Sequence, residues 1–177
     1  MNNFLISGYP GSGKTTLILK IAKQLSGYRI GGFFTREIRE HGQRVGFQVE
    51  TFTGKSGILS HTRFTTGPAV GKYRVDVPQF EQIAVTELET ALAADSIILI
   101  DEIGKMELYS NRFKKILPSC FNSRNILIAT VMERSIPFVD SLKSRPDIQL
   151  IKVTIQNRNN LAITLVSEIN NQFSIPK

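Results

Sequence analysis

Residues 2–25 read NNFLISGYPGSGKTTLILKIAKQL, and strand, turn and helix patterns follow one another in them without a break. The apolar run Phe4-Leu5-Ile6 has the character of a buried strand, while Leu17, Ile18, Ile21, Ala22 and Leu25 recur at helical spacing. Between them, Gly8, four residues and then Gly13-Lys14-Thr15 fit G-x-x-x-x-G-K-[ST], in the strand–loop–helix setting this pattern requires. Such glycines permit backbone angles that turn successive N–H groups toward a phosphate, and the helix adds the positive end of its dipole. Gly8, Tyr9, Pro10, Gly11, Ser12, Gly13, Lys14, Thr15 and Thr16 are therefore expected to bind a nucleotide. Lys14 should reach the β- and γ-phosphates, and the Thr15 hydroxyl should ligate magnesium. The pattern leaves open whether the terminal phosphate is held, moved to an acceptor or given to water.

The stretch SIILIDEIGKMEL, residues 96–108, narrows that choice. A nearly uninterrupted apolar strand ending in Asp101 places a carboxylate where magnesium is held beside a phosphate loop. Glu102 follows at the C-terminal edge of the strand, where open α/β sheets bind ligands, and can orient or deprotonate an attacking water. The competing role for Glu102 is a helix N-cap or a solvated charge. Lys105 can neutralise charge developing on the γ-phosphate or be a surface lysine.

Elsewhere strand and helix patterns alternate. RIGGFFTREIRE and RVGFQVETF flank the turn HGQ and read as an antiparallel hairpin added to the sheet, within a ribbon and loop excursion over about 36–77 in which TGKSGILSHT and VGKYRVD are short possible strands. VPQFEQIAVTELETALAA restores the helical period, and helices around NRFKKIL and FVDSLKSR alternate with strands NILIATV and IQLIKVTI before a last helix over 159–173. This order predicts a three-layer α/β/α fold with a mainly parallel sheet, as one domain over 1–177. TGKSG, residues 53–57, lacks the spacing and the preceding strand of a phosphate loop and reads as a turn.

The net charge of +7 suits a polyanionic nucleotide as well as a nucleic acid, and the basic residues are scattered, without a long Lys/Arg run. The single cysteine, Cys120, excludes an intramolecular disulfide and any multi-cysteine zinc cluster and reads as a buried helix-end thiol. No apolar run reaches the length of a membrane span, so a cytoplasmic protein is expected. The expected partner is a nucleoside triphosphate rather than a nucleic acid, and the expected state a monomer.

GYPGSGKTTLILKIAKQL, GGFFTREIR, GFQVETFTGKSGILSH, VGKYRVDVPQFEQIA and ILIDEIGKMELYSNRFKKIL together resemble the THEP-type thermostable nucleoside-triphosphatases, a family that includes the cancer-related nucleoside-triphosphatases. The resemblance runs over nearly the whole chain, and DEIGKMEL is its most specific part. It implies a RecA-like P-loop domain that hydrolyses ATP, GTP and other nucleoside triphosphates to diphosphate and phosphate, with magnesium and little base selectivity. The family's phosphate-loop, magnesium and glutamate roles fall on Gly13, Lys14, Thr15, Asp101 and Glu102.

Further candidates stand outside these motifs. Arg36 and Glu37 follow an apolar strand and can project over the phosphates, Arg36 contacting the γ-phosphate or product or else forming an ion pair on the ribbon, and Thr130 can sense the γ-phosphate or simply end its strand. Arg158, in QNRNN, can stack on a base, with capping by Asn157 or Asn159 as the alternative; Arg134 is assigned no role. His41 and His61 read as turn residues. The rivals to hydrolysis are a nucleotide or polynucleotide kinase and a nucleic-acid-associated ATPase.

Overall fold

The computed structural model describes residues 2–174. Strand β1 (Asn3–Gly8) is buried throughout and leads through the glycine loop into helix α1 (Lys14–Gln24). Strands β2 (Ile30–Glu40), β3 (Gln43–Thr51), β4 (Ser56–His61), β5 (Ala69–Val70) and β6 (Tyr73–Val75) follow. One long helical segment comes next, made of α2 (Val77–Phe80), a π-helical turn at Glu81–Val85 and α3 (Thr86–Leu92). Strand β7 (Ile97–Ile103), a 3₁₀ turn at Glu107–Tyr109, helix α4 (Asn111–Asn122), β8 (Ile126–Met132), α5 (Pro137–Lys143), β9 (Ile148–Lys152) and α6 (Arg158–Ser174) follow in the described residues.

The nine strands of the described residues form one sheet in the order β5-β6-β4-β3-β2-β7-β8-β1-β9. From β2 to β9 every pairing is parallel, and from β2 outward through β3, β4, β6 and β5 every pairing is antiparallel. The expected hairpin is thus the start of a larger antiparallel half, continuous with the parallel core. TGKSG lies in the β3–β4 turn, where the Lys55 N–H donates to Thr51 Oγ1 at 2.9 Å.

Parallel strands must be covered on both faces, and two apolar clusters do so. One holds Leu17, Ile18 and Ile21 of α1 and Leu165 and Ile169 of α6 against Phe4, Ile6, Leu99 and Ile128. The other holds Phe80, Leu88, Phe113, Leu117 and Val139 against Phe33, Ile98 and Ile100. The result is the three-layer α/β/α arrangement. Phe33, Phe80 and Phe113 meet edge to face with centroids 5.3 to 5.8 Å apart, each pair adding about 0.5–1.5 kcal/mol beyond area burial. That contact ties the middle of β2 to the helical layer just before β2 reaches the site. Pro118 sits inside α4 and donates no N–H, yet the helix persists through burial of Phe113, Leu117, Cys120 and Phe121. Among the described residues no helix is long and apolar enough to cross a membrane.

Candidate active site

The loop between β1 and α1 is shaped by close approach. Gly13 takes φ 96°, and a Cβ there would stand 2.8 Å from Arg158 Cδ and Nη1. At Gly8 a Cβ would stand 2.6 Å from Ser12 Oγ and 2.7 Å from Val153 Cγ1, so both sites need glycine. Helix α1 has no side-chain cap and no acidic residue in its first turn, which leaves its leading N–H groups for an anion. Burial of Leu17, Ile18 and Ile21 contributes roughly 1.5–3 kcal/mol each and offsets the missing cap. The Lys14 ammonium is buried within the loop, donating to the carbonyl oxygens of Gly8 at 2.9 Å and Tyr9 at 3.5 Å.

Strand order brings the second motif alongside. β8 lies between β1 and β7, and it supplies Thr130, whose hydroxyl donates to Asp101 Oδ1 at 2.9 Å. Asp101 is 1% exposed, and its Oδ2 is buried with no hydrogen-bond partner among the described residues. Burial pushes the Asp101 carboxyl up, while the hydroxyls of Thr15 and Thr130, the Thr35 backbone and the Lys14 ammonium favour its ionised form. An unpaired buried carboxylate oxygen beside a threonine hydroxyl is the kind of hard oxygen donor set that magnesium takes, with phosphate and water completing the shell. Thr15 and Asp101 therefore fit that ion.

Glu102 is half-buried. Burial raises its carboxyl, Lys14 opposes the shift and Asp101 adds to it. The peptide joining Asp101 to Glu102 is cis. Glu107 lies deeper, and burial, helped by the charge of Glu102, pushes it up to about 8. A Cβ on Gly104 would stand 3.0 Å from Glu107 Oε2 and 3.1 Å from Glu102 Cγ, so Gly104 is the space between two acidic side chains.

A cleft of about 410 Å³ is lined on one side by Pro10, Gly11, Gly13, Lys14, Thr15, Thr16 and Arg158. Thr35, Glu37, Arg44 and Phe47 of the antiparallel ribbon line it too, and Glu102 completes it. Of those four ribbon residues the sequence pointed to Glu37 alone, beside Arg36, and not to Thr35, Arg44 or Phe47. Alternation along β2 groups Thr35 with Glu37, but only the sheet shows that this face meets the loop. Arg36 falls on the other parity: its Nε lies 2.9 Å from Glu50 Oε1, its guanidinium packs over Phe34, and it does not line the cleft. Lys105 is exposed and lines an adjoining cavity of about 180 Å³ with Glu102 and Glu107. Tyr9 is 64% exposed, with the Lys152 ammonium 5.2 Å from its ring centroid. Ser12 is buried with its hydroxyl unpartnered among the described residues. Asn157 bonds back to Thr154 and to the Lys152 carbonyl, Asn159 accepts from Lys20, and Arg134 is exposed beyond β8. His41 sits in the β2–β3 turn, and His61 accepts from the Arg63 N–H at the end of β4. Cys120 is fully buried in α4, and burial pushes its thiol up to about 12.

A family model described as NTPase matches residues 3–166. The nucleoside-triphosphatase THEP1 of Thermotoga maritima is 42% identical over 163 residues, covering 92% of each chain. That of Thermofilum pendens is 41% identical over 172 residues and 94% of each. The crystal structure of THEP1 from the hyperthermophile Aquifex aeolicus superposes with a TM-score of 0.86 at 38% identity, over 93% of this chain and 97% of that one. The solution structure of a human cancer-related nucleoside triphosphatase gives 0.83 at 34% identity, over 99% and 100%.

Proposed function

The chain belongs to the NTPase family and is a nucleoside-triphosphatase, and from that premise we propose that it converts ATP, GTP and other nucleoside 5′-triphosphates, with broad base tolerance, to diphosphate and phosphate. The observation that supports this most is the convergence on one cleft of the phosphate loop and Glu102, with the unpaired Asp101 oxygen behind it. Thr15 and Asp101 would hold magnesium, which when bound supplies positive charge to the β- and γ-phosphate oxygens.

The protein's own groups do the rest. Loop N–H groups and Lys14 bind the phosphates and stabilise the charge that collects on the leaving diphosphate. Glu102, as carboxylate, orients a water and takes its proton as the water oxygen bonds to the γ-phosphorus and the bond from that phosphorus to the bridging oxygen breaks. Thr130 holds Asp101 in one orientation through its 2.9 Å hydrogen bond. Arg158 packs on the loop and can stack on a base through a contact that does not depend on base identity. The reading takes residues 1–177 as one monomeric, cytoplasmic domain acting on free nucleotides.

The test is phosphate release from ATP, GTP, CTP and UTP, with and without magnesium and with no acceptor present. Comparable magnesium-dependent release from all four is expected. Release confined to one base, or appearing only as transfer to an added acceptor, would overturn the reading.

A further inference from the structure

Glu37 presents a problem of charge. It lines the same cleft as Lys14 and Thr15, so a polyphosphate entering there meets a carboxylate. Two arginines answer that charge. Arg39 lies 2.7 Å from Glu37 Oε2, and Arg44 Nη1 lies 2.8 Å from Oε1. Both hold the Glu37 carboxyl below its ordinary value, Arg44 the more strongly.

Only Arg44 of the two lines the cleft. Its place there comes from a bulge. From Phe33 to Ile38 the β2–β3 register runs without interruption, then slips, so that Arg39 pairs with Arg44 and Val45 is left over. A regular ribbon would set Val45 opposite Arg39; the extra residue re-aims the strand and puts Arg44 on the face of Glu37. The guanidinium is then steadied without being consumed. Its Nε donates to the Tyr73 hydroxyl at 2.9 Å, and its plane lies 5.0 Å from the Phe47 ring centroid and 5.8 Å from that of Tyr73. Its Nη2 makes no hydrogen bond among the described residues.

We propose that Arg44 is a γ-phosphate-binding residue of this site, held by Glu37 when the cleft is empty and transferred to the terminal phosphate of a bound triphosphate. The exchange strands no charge, because Glu37 keeps Arg39 when Arg44 leaves. A guanidinium matches a phosphate in two parallel hydrogen bonds, which an ammonium cannot reproduce. Lys14 and Arg44 then approach the phosphates from the loop and the ribbon respectively. The proposal rests on the hydrolytic reading above.

The experiment compares wild type, Arg44→Ala, Arg44→Lys and Glu37→Gln, with thermal melting to establish that each is folded. Affinities for a non-hydrolysable triphosphate and for the corresponding diphosphate are measured by fluorescent-nucleotide titration, alongside phosphate release. Arg44→Ala is expected to lower kcat by about 100-fold or more and triphosphate affinity about tenfold, with diphosphate affinity within about twofold. Arg44→Lys, which keeps the cation and the packing stem and serves where alanine fails to fold, should lose about tenfold in kcat. Glu37→Gln should raise triphosphate affinity about threefold and leave the diphosphate unchanged. Equal loss of both nucleotides, or near-normal turnover in a folded Arg44 variant, would overturn the role of Arg44, and an unchanged Glu37→Gln would overturn the exchange. Should wild type itself release no phosphate, the hydrolytic reading fails, while the triphosphate-over-diphosphate difference still decides for or against Arg44.

Discussion

Glu102 is the side chain whose removal should separate binding from turnover. Glu102→Gln keeps the shape of the cleft and the phosphate loop but cannot accept a proton, so kcat should fall by roughly 10²–10⁴ while triphosphate affinity stays within a few-fold, measured by single-turnover phosphate release and nucleotide titration. Thr130 acts one step further out. Thr130→Val leaves the buried Asp101 without its 2.9 Å hydrogen bond, at a cost of about 1–3 kcal/mol. The magnesium concentration for half-maximal release should rise several-fold, and Thr130→Ser should restore it. The placement of Lys14, Thr15, Asp101 and Glu102 close to one another was legible because each sits at a fixed offset within a short strand–loop pattern, where local backbone geometry decides the position. That of Arg36 and Arg44 was not. Both are ribbon arginines, and nothing in GFFTREIRE or GQRVGF tells which one faces the loop; the structure pairs Arg36 with Glu50 and sets Arg44 in the cleft.

The ribbon is the element in which local pattern and final structure diverge most. Alternation announced β2 and β3, and the short strands expected in TGKSGILSHT and VGKYRVD are β4 and β6, yet their pairing into one continuous antiparallel half and the slip at Val45 have no sequence signature. Where β2 leaves the parallel core, Gly32 takes φ 103°, and a Cβ would stand 2.0 Å from the Leu99 carbonyl oxygen of β7. Gly32→Ala should therefore destabilise the fold by roughly 3 kcal/mol or more, seen as a lower denaturant midpoint. Gly27→Ala, where nothing lies within 4 Å of the added carbon, should shift it by less than about 1 kcal/mol. In the helical layer the period through Phe80, Ile83, Ala84 and Leu88 was correct in kind, but the π-helical turn at Glu81–Val85 was hidden, because one wider turn barely disturbs apolar spacing.

Burial of acidic groups is a property of the whole molecule, and it makes stability depend on pH. Glu107 is raised from an ordinary 4.5 to about 8, so between those values the folded chain holds a proton that the unfolded chain releases. The unfolded state binds fewer protons there, and stability should fall as pH rises from about 4.5 to about 8. Asp101 and Glu102 shift in the same direction. Glu107→Gln should flatten much of that slope, measured as denaturation midpoints at pH 5 and pH 8; an unchanged slope would show that Glu107 is not the group responsible. The amino-acid sequence by itself determined the phosphate loop, the Asp-Glu pair, the α/β alternation and the family resemblance, because these are written in residues close together along the chain. Only the tertiary structure decided that β8 brings Thr130 to Asp101, that the ribbon closes the cleft with Thr35, Glu37, Arg44 and Phe47, and that Glu107 is sealed behind Glu102. Those outcomes depend on strand order, register and which sheet face is covered, and no short stretch of chain encodes contacts made across that distance.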